Sequence, residues 1–135
     1  MNWEYILQAL PRFVDASIMT LHLAFWGIVL SLLIGLFCAG IMTYKVNALS
    51  WLVKGYIELS RNTPLLIQVF FLYFGLSKIG IKLDGFTCGV IGLAFLGGSY
   101  MAEAIRGGLE AVSKGQIESA LSIGLTPFQA FRDGL

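Results

Sequence analysis

Formal charge is missing from three long blocks of this chain. Ala16 to Tyr44 holds none, only His22; Asn62 to Ser77 and Gly85 to Ala102 hold none either. A helix needs about 20 apolar residues to cross the hydrocarbon core of a bilayer. The first block exceeds that. The other two are slightly short, but Arg61, Lys78 and Arg106 stand at their ends, and such long side chains reach back to the headgroups. The pattern predicts an all-α integral membrane chain with spanning helices over 20–43, 63–79 and 85–106.

The connecting segments have their own periodicity. In 1–17, Ile6, Leu10 and Phe13 fall at helical spacing, and Trp3 and Tyr5 suit a headgroup layer. This predicts an interfacial segment, interrupted or capped at Pro11. Over 46–61, Leu49, Leu52, Val53, Tyr56 and Ile57 form one face and Lys54, Glu58 and Arg61 the other. That is the pattern of an amphipathic helix lying on the membrane. Thr63 then reads as an N-cap and Pro64 as the first residue of the next helix, where the missing N–H costs nothing. Within the first span, Gly27, Ser31, Gly35, Ala39 and Thr43 recur every fourth position; Ala94, Gly98 and Ala102 do the same in the third. Stripes of small residues let helices approach closely.

Composition sharpens this picture. Hydrophobic residues make up 57% of the 135 and charged residues 13%, with a mean hydropathy of +0.80. A soluble domain holds about a quarter charged residues to cover its surface. The net charge of +1, with no basic cluster, gives no reason to expect nucleic acid. Cys38 and Cys88 both fall inside spans, which suits packing rather than a disulfide, and no metal-ligand spacing occurs. The first apolar block is too long for a cleavable signal peptide, and no small-residue cleavage site follows it. Lys45, Lys54, Arg61, Arg106, Lys114 and Arg132 fall on one side of a three-span topology; Arg12, Lys78 and Lys82 fall on the other. The bias puts the N-terminus outside and the residues after Arg106 in the cytoplasm.

The chain ends on a polar element, 115–135. Gly115 precedes a short helical run, and Gly124 sits where a helix end favours a left-handed residue. Thr126, Pro127 and Gln129 then form a capping sequence for a second short helix, with Phe128 and Phe131 as apolar anchors. Such a knob suits docking into a groove on another protein.

Candidate chemistry lies in the third span. Ser99, Glu103 and Arg106 share one helical face, with Tyr100 beside it. This face offers hydrogen-bond donors and an acceptor side by side, as binding a small polar ligand would require. The bland alternative is a plain Glu103–Arg106 ion pair one turn apart. Asn62, Thr63 and Gln68 are further pathway candidates. No phosphate-binding loop and no nucleophile–base arrangement occurs, and His22 reads as an interfacial or packing residue.

Three blocks carry a family resemblance. "ESALSIG" and the nine residues after it resemble the EAA motif of permease subunits of binding-protein-dependent ABC importers: Glu118, Ala120 and Gly124 match, Ser119 replaces an alanine, and Gly134 stands at a place usually apolar. "ELSRNTPLLIQVFFLYFGL" is similar to the Arg-Gly-Thr-Pro-Leu-Leu-x-Gln segment of the polar amino acid branch, with Asn62 where glycine is common. "YMAEAIRGGLEAVSKGQIESA" resembles the same branch throughout.

The resemblance implies a type I importer permease fold with five spanning helices, of which this chain supplies the front three and then stops within the coupling element. That corresponds to a truncation, a split gene or a chosen fragment. It implies a bacterial inner-membrane location and docking on an ATPase subunit through Glu118, Ala120, Gly124, Phe128 and Phe131. It also implies a second permease subunit, identical or not, a substrate-binding protein outside, and an amino acid as cargo. ATP and Mg would be used by the ATPase, with no cofactor or metal bound by this chain. The alternatives are a small self-assembling pore or exporter, for which Glu103 is the one acid within reach of the membrane interior, and an inactive permease fragment.

Overall fold

The computed structural model describes residues 3–44, 47–111, 115, 119, 121–124 and 126. Helix α1 runs Trp3–Thr43 and α2 runs Asn47–Asn62. A broken rod follows: α3, Leu65–Phe70, a π-helical turn, Phe71–Gly75, and α4, Leu76–Lys78. Helix α5, Gly85–Ala111, completes the described core. By length and composition, two of these helices can cross a membrane, Ile6–Thr43 and Gly85–Ala111.

The small-residue stripes are where α1 and α5 meet. Gly27 lies against Leu93, Ser31 against Gly97, and Gly35 against Met101 and the backbone of Ala102. The Ser31 hydroxyl donates to the Gly27 carbonyl of its own helix at 2.6 Å and to the Leu93 carbonyl of α5 at 3.2 Å. The partner numbers rise together, so the two helices run parallel. Parallel neighbours in a membrane require the chain between them to cross back.

The return packs along α5. Helix α2 does not lie across the end of the bundle; it climbs along α5. Its Val53 and Ile57 pack with Cys38 and Ala102 in the buried core, and Ile34, Ile41, Met42 and Tyr56 close around them. Higher up, the Tyr56 and Ser60 hydroxyls both donate to the Phe95 carbonyl, at 2.5 and 3.1 Å. Leu65 and Val69 of α3 then reach Gly92. At ~1.5 Å per residue, Leu65–Lys78 is about 20 Å long, short of a ~30 Å hydrocarbon core.

Pro11 brings a correction, because α1 runs through it without interruption. A proline inside a helix removes one intrahelical bond, and the stretch around Pro11 is exposed, so the carbonyl it frees can be met from outside the helix. At the next break the capping differs from expectation too. Pro64 itself is the N-cap of α3, with no side-chain cap, while the Thr63 hydroxyl turns back to the Leu59 carbonyl at 2.8 Å.

Asp84 opens α5. Its carboxylate accepts from the Thr87 hydroxyl at 2.5 Å and from the Thr87 N–H at 3.1 Å. These bonds, the hydroxyl first, hold the carboxyl below its usual range. Nearby, the Trp26 indole donates to His22 Nε2 at 2.9 Å and the His22 ring lies 5.3 Å from that of Phe86, a packing role. Cys38 and Cys88 are buried and unbridged.

Candidate functional site

The climb of α2 carries a charged side chain to the middle of α5. Arg61, in the last turn of α2, forms an ion pair with Glu103. Its guanidinium also lies over the Tyr100 ring, 5.0 Å from the centroid. A cation over an aromatic face at a half-exposed site gains about 0.5–1 kcal/mol. Ile57, Glu58 and Asn62 complete a pocket of about 240 Å³ around these groups. It holds two carboxylates and one guanidinium, so one negative charge is in excess.

The structure brings together only some of the residues singled out from the sequence. Glu103, Tyr100 and Asn62 line this pocket. Arg106 does not: it pairs with Glu110 one turn further on, at 2.9 Å. The simple Glu103–Arg106 pair is therefore absent too. Ser99 is fully buried, and its hydroxyl donates to the Leu96 carbonyl at 2.7 Å. Thr63 and Gln68 line a different space, an apolar cavity of about 470 Å³ bounded by Leu59, Ile67, Phe71 and Phe95 among others. The Gln68 amide nitrogen donates to the carbonyls of Ser60 and Thr63, at 3.0 and 2.9 Å.

Arg61 also lines the pocket, although the sequence pattern puts it on the polar face of the 46–61 helix. One signal was available: Arg61 follows Ile57 by four positions, so it borders the stripe of Val53, Ile57 and Ser60 that α2 buries.

The terminal element is described only in part. The Ile123 N–H donates to the Ser119 carbonyl at 3.2 Å and the Gly124 N–H to that of Leu121 at 3.0 Å. Gly124 then turns left-handed, with φ of 87°. Glu118, Ala120, Phe128 and Phe131 lie outside the described residues.

Comparison with known proteins gives a consistent result. The family profile described as "Binding-protein-dependent transport system inner membrane component" matches residues 31–135. The chain is 38% identical over 134 residues to the probable amino-acid ABC transporter permease protein PatM of Vibrio harveyi, covering 97% of this chain and 60% of the relative. It is 37% identical over 130 residues to the probable glutamine ABC transporter permease protein GlnM of Bacillus subtilis (strain 168), covering 96% and 60%. A crystal structure described as that of an amino acid ABC transporter with histidines superposes with a TM-score of 0.85 at 37% identity, covering 98% of this chain and 62% of the other. The chain thus spans about three-fifths of the length of these relatives.

Proposed function

This chain belongs to the family of inner membrane components of binding-protein-dependent transport systems, and on that premise we propose that it forms part of the translocation pathway of an ATP-driven amino acid importer. One observation carries the site: the helix bundle places Arg61, Glu103, Glu58, Tyr100 and Asn62 around a 240 Å³ pocket. Ionised groups at membrane depth are costly and are retained mainly on substrate or ion paths. The pocket presents donors to a carboxylate and acceptors to an ammonium. In this reading the substrate displaces part of the Arg61–Glu103 pair, its two charged groups taking over the partners.

The left-handed turn at Gly124 supports a docking role for the terminal element, with Glu118, Ala120, Phe128 and Phe131 against an ATPase subunit. That subunit would hold ATP and Mg. A second permease subunit would complete the path, and a binding protein would deliver the amino acid from outside. The Lys and Arg distribution favours Met1 outside and the residues after Arg106 in the cytoplasm. An exporter driven by protons is a weaker reading, because Glu103, its one candidate acid, is already paired with Arg61.

The test is reconstitution of the complete permease with its ATPase and binding protein in proteoliposomes. Amino acid uptake that requires all the subunits and internal ATP supports the proposal. Uptake by the 135-residue chain without other polypeptides would overturn it in favour of a self-assembling pore.

A further inference from the structure

We propose that Gln68 is a positioning residue for the polar pocket: its amide clasps the end of α2 to the start of α3 and so sets where Arg61 stands against Glu103 and Tyr100. This rests on the reading of that pocket as part of the pathway.

The need for a clasp comes from the backbone. The last carbonyls of a helix have no partner within it. Here the chain turns at Thr63 and Pro64, and Pro64 has no N–H to offer the Ser60 carbonyl. A side chain fills the gap. Gln68 Nε2 donates to the carbonyls of Ser60 and Thr63 together, while the Thr63 hydroxyl bonds back to the Leu59 carbonyl. The amide can face only this way, since the flipped form would set its oxygen against two carbonyl oxygens. Gln68 Oε1 is left buried with no partner among the described residues. The side chain therefore works as a double donor.

Ser60 transmits the effect. It is fully buried, and its hydroxyl donates to the Phe95 carbonyl that also accepts from Tyr56. Its backbone is thus held from both sides, by α5 through the hydroxyl and by α3 through Gln68. Arg61 is the next residue. Releasing the Ser60 carbonyl frees the last turn of α2 to unwind, and Arg61 and Asn62 move with it.

The experiment uses the complete transporter in proteoliposomes, with Gln68→Met, which keeps length and bulk but removes the donor. In a background without Cys38 and Cys88, cysteines at positions 59 and 91, which face the neighbouring apolar cavity and leave the polar pocket intact, report the geometry through bifunctional thiol reagents of graded length. With Gln68 present, one reagent length dominates; with Gln68→Met, the preference broadens. Uptake falls roughly tenfold with Gln68→Met or with Arg61→Ala, and the double variant falls no further, because both act through one group. An unchanged cross-linking pattern overturns the proposal, as do losses that multiply in the double variant at equal amounts of assembled complex. If Arg61→Ala leaves uptake intact while the cross-linking still responds to Gln68, the pathway reading itself has failed.

Discussion

Glu103 takes its counter-ion from Arg61, on another helix, and not from Arg106 one turn along its own. Arg106 is held by Glu110 nearer the end of α5, so the polar face expected along one helix is divided between two ion pairs. The pair that matters bridges α2 and α5.

Glu103→Gln in the complete transporter should lower uptake by about an order of magnitude, the effect of ~1.4 kcal/mol. The side chains of the pair are 39% and 40% exposed, so its loss should cost stability only ~1 kcal/mol or less. Uptake at limiting substrate and the thermal midpoint of the purified complex check the two halves. Unchanged uptake would make Glu103 structural.

Gly98→Ala should destabilise the bundle by about 1–3 kcal/mol, the usual range for overpacking. A Cβ there would meet the Tyr56 hydroxyl at 2.8 Å and Ile34 Cγ2 at 2.6 Å. Gly107→Ala meets nothing within 4 Å and should instead stabilise slightly, by up to ~1 kcal/mol. Thermal unfolding in detergent should show shifts of opposite sign.

Asp84 predicts a response to acid. Its carboxyl is depressed in the folded chain by the bonds from Thr87. Its contribution is therefore fully present above the unfolded-state value and is lost as pH falls through the folded one. Protection of the amides at the start of α5, measured against their intrinsic exchange rates at each pH, should fall in acid in the parent chain, and less so in Asp84→Asn. Equal acid responses in the two would contradict this.

Orientation is tested by impermeant thiol labelling of intact cells, with single cysteines at Ala48, Lys82 or Lys114 in a background without Cys38 and Cys88. Lys82→Cys should label from outside; the other two should not. The opposite result would invert the topology.

Gly124→Val in a complete subunit should uncouple ATP hydrolysis from uptake while membrane insertion stays normal. A φ of 87° costs a β-branched residue about 1–2 kcal/mol, so the turn would open and the chain would leave it at another angle. ATPase and uptake rates measured together decide it; a normal ratio would show that the angle is immaterial.

Sequence periodicity revealed faces but not partners. The small residues from Gly27 to Ala39 could be read as a packing stripe because their spacing matches the helix, and they meet α5. The buried face of α2 was equally legible, yet nothing in its spacing said whether it covers a membrane surface or climbs a neighbouring helix. Arg61 was lost through that ambiguity alone. Pro11 and Thr63 show the limits of local rules. A helix can run on through a proline at the cost of one hydrogen bond, and a threonine beside a break can bond back into the helix it follows. The left-handed glycine was found because its constraint is steric and needs no partner.

The meshing of α1 with α5 has a mechanical consequence. Ser31 sits opposite Gly97, and Gly35 opposite Met101, like teeth opposite notches. Sliding α5 along α1 would take Met101 off the notch at Gly35 and break the Ser31 bond to the Leu93 carbonyl, so the pair favours one register. Rearrangement inside this chain is then left to the jointed return between them, where Thr63, Pro64 and the π-helical turn interrupt the regular ladder.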